Sequence, residues 1–301
     1  MTLKKNEAKK PFDASTVILV RSHPKESIQV LLVRRHQAQS FMPDVYVFPG
    51  GKLEKEDCDP DLEKLAPGSL KEDLCRKLGE SDLFLSKSLG FYFAAIRETY
   101  EEVGILPGLA KKNEQISGLE LLLKTDPAKY RTQLHSGFIS FKDLALKHNL
   151  KFDFELLLPY SRWITPIEKP VRFDTIFFIA NISDNQKASH DRIELTESLW
   201  ISPSDALKRH QAKDLPLMPP TFKTLLELAE YNSVDHLMKS LNSNHIPIIL
   251  PELFNSAKKQ LAIFPNDPEY SLQDYKIPFY SGNISRLINK NGAWQAKSGP
   301  F

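Results

Sequence analysis

Ala94-Ala95-Ile96-Arg97-Glu98-Thr99-Tyr100-Glu101-Glu102-Val103-Gly104-Ile105 has the spacing of the C-terminal half of a helix. Leu89, Phe93, Ile96, Tyr100 and Val103 recur at steps of three and four, so they line one apolar face. Glu98, Glu101 and Glu102 stand at i, i+3 and i+4 and gather three carboxylates on the other side. Gly104 is placed to end the helix in a left-handed conformation. Such a helix is costly by itself, because like charges at these spacings repel and the last turn already carries negative partial charge. A divalent cation offsets both penalties, and an oxygen-only donor set suits Mg²⁺ or Mn²⁺. The plainer reading is a solvated acidic face.

Upstream lies Val47-Phe48-Pro49-Gly50-Gly51-Lys52-Leu53-Glu54, where two glycines after a strand let backbone approach a ligand closely. Together the two stretches resemble the Nudix box, G-x5-E-x7-R-E-U-x-E-E-x-G-U. Residues Arg97 to Ile105 match its second half, with Thr99 where an aliphatic residue is usual, and Gly51 matches its first glycine. The pattern puts the arginine 14 positions after that glycine, whereas here the separation is 97 − 51 = 46, an excess of 32. An insert, read as residues 52–88, splits the box. Glu54, Glu56 and Asp57 are the candidates for its middle glutamate.

The 301 residues suffice for one large domain or two small ones. Hydrophobic content of 41% and charged content of 26% are ordinary for a globular protein, and a net charge of +2 gives no ground to expect a nucleic-acid partner. Lys4, Lys5, Lys9 and Lys10 make a short basic tail over residues 1–11. The two cysteines, Cys58 and Cys75, have no zinc spacing and read as free thiols of a cytoplasmic protein. No apolar run approaches a membrane span, and the last residues lack a Ser-Lys-Leu address.

Along the chain, Thr16 to Arg21 and Ile28 to Val33 predict a hairpin. Arg34 and Arg35 leave its second strand as donors for phosphate oxygens, with surface charge as the alternative. Within the insert, Ser69 to Leu78 predicts a short amphipathic helix, and the insert as a whole is a lid or a docked subelement. Asp126-Pro127 starts a helix to about His135, and Ser140 caps another to about Asn149. Arg172 to Ala180 predicts a strand buried on both faces. After Glu194 and Glu197 comes a short strand, Leu199 to Ile201. Ser202 caps the next helix with Pro203 at its first position. Thr221 to Glu230 and Val234 to Leu241 predict further helices. From His245 onward the prolines predict an extended arm over residues 244–301 packed on a domain of residues 12–243.

The resemblance extends past the box through Leu31-Leu32-Val33-Arg34-Arg35, Phe41-Met42-Pro43, Leu158 to Pro166, Arg172-Phe173-Asp174-Thr175 and Trp200 to Ala206. It points to the Nudix branch that carries coenzyme A diphosphatases with a split box. It implies an α/β/α Nudix sandwich around a mixed β-sheet and metal-dependent hydrolysis of a pyrophosphate. The substrate class implied is a small nucleoside diphosphate derivative, best matched by coenzyme A or acyl-coenzyme A. By resemblance, Glu98, Glu101 and Glu102 are metal ligands, with the carbonyl of Gly51 or Gly50 completing the set. Arg97 orients Glu98 or Glu101, and Arg34, Arg35 or Arg172 meets substrate. The general base is left open between Glu98, Glu194 and Glu197. A homodimer is compatible with the resemblance, and no membrane association is expected. Two alternatives stand beside this reading: a Nudix pyrophosphatase acting on ADP-ribose, NADH or dinucleoside polyphosphates, and a non-catalytic Nudix ligand sensor or binding module.

Overall fold

The β-branched run around Thr16 extends in both directions to form β1 (Phe12–His23), which returns as β2 (Ser27–Arg35) with Val20 opposite Val30 in antiparallel register. The computed structural model describes residues 9–25, 27–38, 42–67, 71–79, 85–110, 127–182, 188–189, 194–241, 246–256, 259–278 and 283–299. Lys4, Lys5, Phe41, Ser69, Asp126 and His245, named above, lie outside them. After the hairpin come β3 (Tyr46–Val47), β4 (Gly50–Lys52), α1 (Lys71–Lys77), α2 (Leu85–Val103), α3 (Pro127–His135) and α4 (Phe141–Lys147). The order continues with β5 (Leu158–Ile164), β6 (Phe173–Asn181), β7 (Leu195–Ile201), α5 (Pro203–Gln211), α6 (Pro219–Leu228), α7 (Val234–Ser240) and β8 (Ile248–Ile249). Four strands close it: β9 (Glu252–Ser256), β10 (Lys259–Ile263), β11 (Arg286–Lys290) and β12 (Ala293–Lys297).

The main sheet runs β3-β2-β1-β6-β5-β8, with β4 paired to β1 and β7 to β2. The β1–β6 and β5–β8 pairs are parallel and the others antiparallel, so the sheet is mixed. Successive strand residues point to opposite faces. Val17, Leu19, Leu31, Val33, Ile176 and Phe178 therefore pack with α2. Ile18, Val20, Val30, Leu32, Phe177 and Ile179 pack with Phe222 and Leu225 of α6 and Leu237 of α7. Helices cover both faces, which is the expected α/β/α sandwich.

Helix α2 is more buried than its amphipathic pattern predicts. One side meets the sheet, and the other meets the insert, whose Leu62, Leu65, Leu74 and Leu78 join the same core. The described part of the insert is thus docked on the core: the 3-10 turn Lys55–Cys58 leads into it, and it holds a second turn at Pro60–Leu65 and then α1. Ser202 caps α5 as predicted, accepting from the Asp205 N–H, with Pro203 in the first turn. The free thiols Cys58 and Cys75 both lie against α2, where Gly90 adjoins the first and Ser88 Oγ donates to the second at 3.1 Å. Among the described residues no helix is long and apolar enough to cross a membrane.

The predicted extended arm is instead a four-stranded antiparallel sheet in the order β12-β11-β10-β9. Pro247, Pro251, Pro265, Pro268 and Pro278 all fall in connections, so the segments between them remain free to pair. Its inner residues Phe264, Leu287 and Trp294 join the core beyond α6, and Trp163 of β5 packs edge-on to Phe264 with ring centroids 5.8 Å apart. The Trp294 N–H donates to His210 Nε2 at 2.9 Å, tying β12 to α5.

A fully buried ion pair holds this second sheet together. Arg286 Nε donates to Asp267 Oδ2 at 2.7 Å, its Nη2 bonds Oδ1, and Ser285 Oγ adds a third donor at 2.6 Å. Burial alone would raise the Asp267 carboxyl, but the Arg286 and Ser285 hydrogen bonds outweigh it and hold the carboxyl below its ordinary 3.8. A carboxyl lowered in the folded state stabilises the fold fully above its unfolded value and loses that contribution as pH falls through the folded one. Asp267→Asn leaves a buried guanidinium short of its counter-charge and should cost about 3–5 kcal/mol. Denaturant unfolding followed from neutral pH to below 3.8 should show the two proteins converging only at the acid end.

Candidate active site

Arg97, on the face of α2 that carries the glutamates, is the hub of the site. A guanidinium has five N–H donors, and five hydrogen bonds leave this one. Nε and Nη2 fork onto Asp57 Oδ1 and Oδ2, each at 2.9 Å. Nη1 donates to Glu98 Oε1 at 3.0 Å and Glu101 Oε2 at 3.2 Å. Nη2 also donates to the Lys52 carbonyl at 3.0 Å. Burial works against its charge, but the Asp57 bond and the charges of Glu98, Asp57 and Glu101 outweigh burial and raise its pKa.

Asp57 resolves the split box. It follows Gly51 with five residues between, which is the pattern's own spacing for the middle acid, and it is 3% exposed. It also accepts from the Glu54 N–H at 2.9 Å, while the Glu54 and Glu56 side chains lie at the surface. The first half of the box then keeps its spacing, with aspartate where the pattern has glutamate. The insert begins after Asp57, not at residue 52, because the separation from Asp57 to Arg97 takes up the whole excess of 32.

The two glycines serve different neighbours. Gly50 has φ +150° and its N–H donates to Glu102 Oε2 at 2.9 Å. A Cβ at Gly50 would lie 2.2 Å from the Ser15 carbonyl oxygen, so the backbone of β1 forbids one. A Cβ at Gly51 would lie 2.4 Å from the Glu98 carboxyl carbon, so Gly51 keeps open the space that this carboxylate fills.

The carboxylates are poorly compensated by protein alone. Burial pushes Glu98 up to about 7, with Glu101 pushing the same way and Arg97 pulling it down. Burial likewise raises Glu101 against the pull of Arg97. Glu102 is raised well above the ordinary range by burial and by Glu98 and Glu194, against the Gly50 N–H and Arg35. Buried oxygen donors that lack counter-charge fit a hard divalent cation. Among the described residues no three His, Cys, Asp or Glu side chains are already gathered into a metal-holding group. Arg97 occupies one oxygen each of Glu98 and Glu101, and the Gly50 N–H occupies Glu102.

Strand alternation sorts the remaining candidates. Arg35 follows Leu31 and Val33 onto the α2 face and attracts Glu102. Arg34 follows Val30 and Leu32 onto the opposite face, in one row with Tyr46 of β3 and Glu197 of β7. There it pairs with Asp44 at 2.8 Å, and Tyr46 Oη donates to Glu197 Oε2 at 2.6 Å. Burial, then this bond to Glu197, pushes Tyr46 up to about 12. Of the two late glutamates, Glu194 is near enough for its charge to help raise Glu102, while Glu197 lies in the row with Arg34 and Tyr46. Arg172 stands apart from the carboxylates: its guanidinium donates to the backbone carbonyls of Thr165 at 3.0 Å and Lys9 at 2.8 Å. It staples the β5–β6 connection to the segment entering β1.

One buried residue escaped sequence reasoning. Arg131 of α3 donates from Nε to the Glu101 carbonyl at 2.8 Å and from Nη2 to the Glu102 carbonyl at 2.5 Å. Beside it Gly104 takes φ +73° and closes α2 with its N–H on the Tyr100 carbonyl at 2.9 Å. Only the position of α3, far away in sequence, could reveal that contact.

Residues 12–228 match the family model described as the NUDT19 Nudix domain. A Xenopus laevis protein named acyl-coenzyme A diphosphatase NUDT19 is 26% identical over 299 residues, which span 88% of this chain and 78% of that protein. The Homo sapiens protein of the same name is 27% identical over 284 residues, spanning 83% and 74%. The crystal structure of a NUDIX hydrolase from Alicyclobacillus acidocaldarius superposes with a TM-score of 0.56 at 26% identity, covering 77% of this chain and 97% of that one.

The glycine geometry separates two substitutions that look alike in sequence. Gly50→Ala drives a methyl into β1 backbone and demands a positive φ of an L-residue, so it should destabilise by about 2 kcal/mol or more. Gly51→Ala meets only the end of a flexible side chain. It should unfold within about 1 kcal/mol of wild type while expelling the Glu98 carboxylate. Chemical denaturation of both variants, with the Glu98 position read from a crystal structure of the second, checks the pair.

Proposed function

The chain belongs to the NUDT19 Nudix domain family, and from that premise we propose that it hydrolyses the pyrophosphate of coenzyme A or an acyl-coenzyme A. The products are 3′,5′-ADP and the corresponding phosphopantetheine. One observation carries the reading: the Arg97 hub sets Glu98 and Glu101 beside Glu102 and the Gly50-Gly51 turn, in a chain whose relatives bear the acyl-coenzyme A diphosphatase name. We assign the catalytic domain to residues 12–243. Free thiols at Cys58 and Cys75 suit a reducing compartment, and we place the protein in the cytoplasm.

A pyrophosphate resists attack in water because its oxygens are already negative. Mg²⁺ or Mn²⁺ held by Glu98, Glu101 and Glu102, with a carbonyl of Gly51 or Gly50, would supply the charge that neutralises them. The chain's own groups do the rest. Asp57 keeps Arg97 in place, and Arg97 fixes the directions of the Glu98 and Glu101 carboxylates. Arg35, on the α2 face, offers its charge to the phosphates. Glu194 stands near Glu102 without being one of the three assigned ligands, so we assign it the proton of the attacking water. Glu197, held by Tyr46 on the other face, takes no part in proton transfer.

Glu101→Gln and Glu102→Gln should each lower kcat/KM by about 10²-fold or more with unfolding midpoints close to wild type, since each deletes a charge that the chemistry needs and the fold does not. Glu194→Gln should lower kcat, and Glu197→Gln should change it by less than about threefold. The substrate is settled by kcat/KM for coenzyme A, acyl-coenzyme A, ADP-ribose and NADH in one series, with products identified by mass spectrometry. A tenfold advantage for either of the last two, about 1.4 kcal/mol, would replace the coenzyme A assignment with another diphosphate.

A further inference from the structure

Arg131 has no place in the Nudix box, yet it is 7% exposed and bonded to the end of the helix that carries the box. Besides the Glu101 and Glu102 carbonyls, its Nη1 donates to the Ser189 carbonyl at 2.8 Å and to Ser189 Oγ at 3.2 Å. The Ser189 N–H in turn donates to the Val103 carbonyl at 3.0 Å. The last carbonyls of a helix have no partner within it. Here those of Glu101, Glu102 and Val103 are taken up by one guanidinium and one backbone N–H. A cation at this end also opposes the negative pole of the helix.

These bonds join the last turn of α2, which carries Glu101 and Glu102, to Ser189 on a separate piece of chain. We propose that Arg131 is a positioning residue of the active site: it locks the last turn of α2 against Ser189 and so fixes where Glu101 and Glu102 present their carboxylates. The acceptors lie on two pieces of chain, so a planar fork can bridge them where an ammonium group cannot. The inference rests on the diphosphatase reading for its link to catalysis, although the bonds themselves do not.

The test uses the full chain with Arg131→Lys and Arg131→Met, each alone and combined with Glu102→Gln. Arg131→Lys should keep an unfolding midpoint near wild type, lower kcat about tenfold and move KM by less than about threefold. Adding Glu102→Gln to it should cost little more than the poorer single variant, because both changes remove the same contribution. Amide hydrogen exchange should quicken at Ser189 and Gly104 and stay unchanged at Val17 and Ile179 in the sheet. Exchange at Ser189 equal to wild type overturns the proposal, as do strictly additive losses in the double variant. So does loss of protection spread evenly over the sheet, which marks Arg131 as a general stability residue. If Arg131→Met fails to fold, Arg131→Lys carries every comparison. Wild-type protein that turns over no diphosphate defeats the diphosphatase reading, while exchange at Ser189 still decides whether Arg131 locks the two segments.

Discussion

The guanidinium of Arg97 is the point on which the site depends. Three carboxylates within one turn and a half of helix repel one another, and here they are also removed from most of their water. Arg97 relieves two of them and is itself kept charged by Asp57, so the chain runs acid, base, acid, acid. Each link needs the one before. Without Asp57 the cation would lose its bidentate partner, and without the cation Glu98 and Glu101 would be free to protonate or swing away. A lysine could not fill the post, because five acceptors in fixed directions require a planar fork.

Arg131 does for the backbone of α2 what Arg97 does for its side chains. Spacing alone assigns to a divalent cation the relief of both the carboxylate repulsion and the negative helix end. The structure divides that work. Arg131 meets the helix end through the Glu101 and Glu102 carbonyls, and Arg97 meets part of the side-chain charge. What is left is concentrated on Glu102 and the remaining oxygens of Glu98 and Glu101. The remaining deficit is local, and it faces the Gly50-Gly51 turn.

Features set by short-range pattern were legible in the sequence, and those set by distant contacts were not. The β1–β2 hairpin, the buried strand β6, the Ser202 cap and the end of α2 at Gly104 each follow from local spacing or one residue's chemistry. Arg34 and Arg35 are equivalent as neighbours in sequence, and only strand alternation sends Arg34 to the far face. Arg172 reads as a substrate cation in sequence because nothing local reveals that it donates to the Thr165 and Lys9 carbonyls. The prolines of residues 244–301 mask the second sheet in a local reading of the sequence. Asn291-Gly292, with φ of 55° and 92°, turns β11 into β12 and was a legible hairpin signal.

The insert tests how much of a catalytic motif must be continuous in the chain. What the site needs is that Asp57 and Arg97 meet, and the segment between them is a loop closed by that contact. Lengthening a flexible loop from 8 to 40 residues raises its closure cost by about 1.4 kcal/mol, since the cost grows only with the logarithm of length. Burying one leucine side chain stabilises by about 1.5–3 kcal/mol, and the insert buries Leu62, Leu65, Leu74 and Leu78 against α2. The hydrophobic gain is therefore large enough to offset the added closure cost, and ordering the insert's backbone draws on the rest. An insertion between Gly51 and Asp57 would be different, because those residues hand the chain from β4 into the 3-10 turn whose last residues place Asp57 under Arg97. The box is divisible at the one place where a salt bridge, rather than covalent spacing, already holds its halves together.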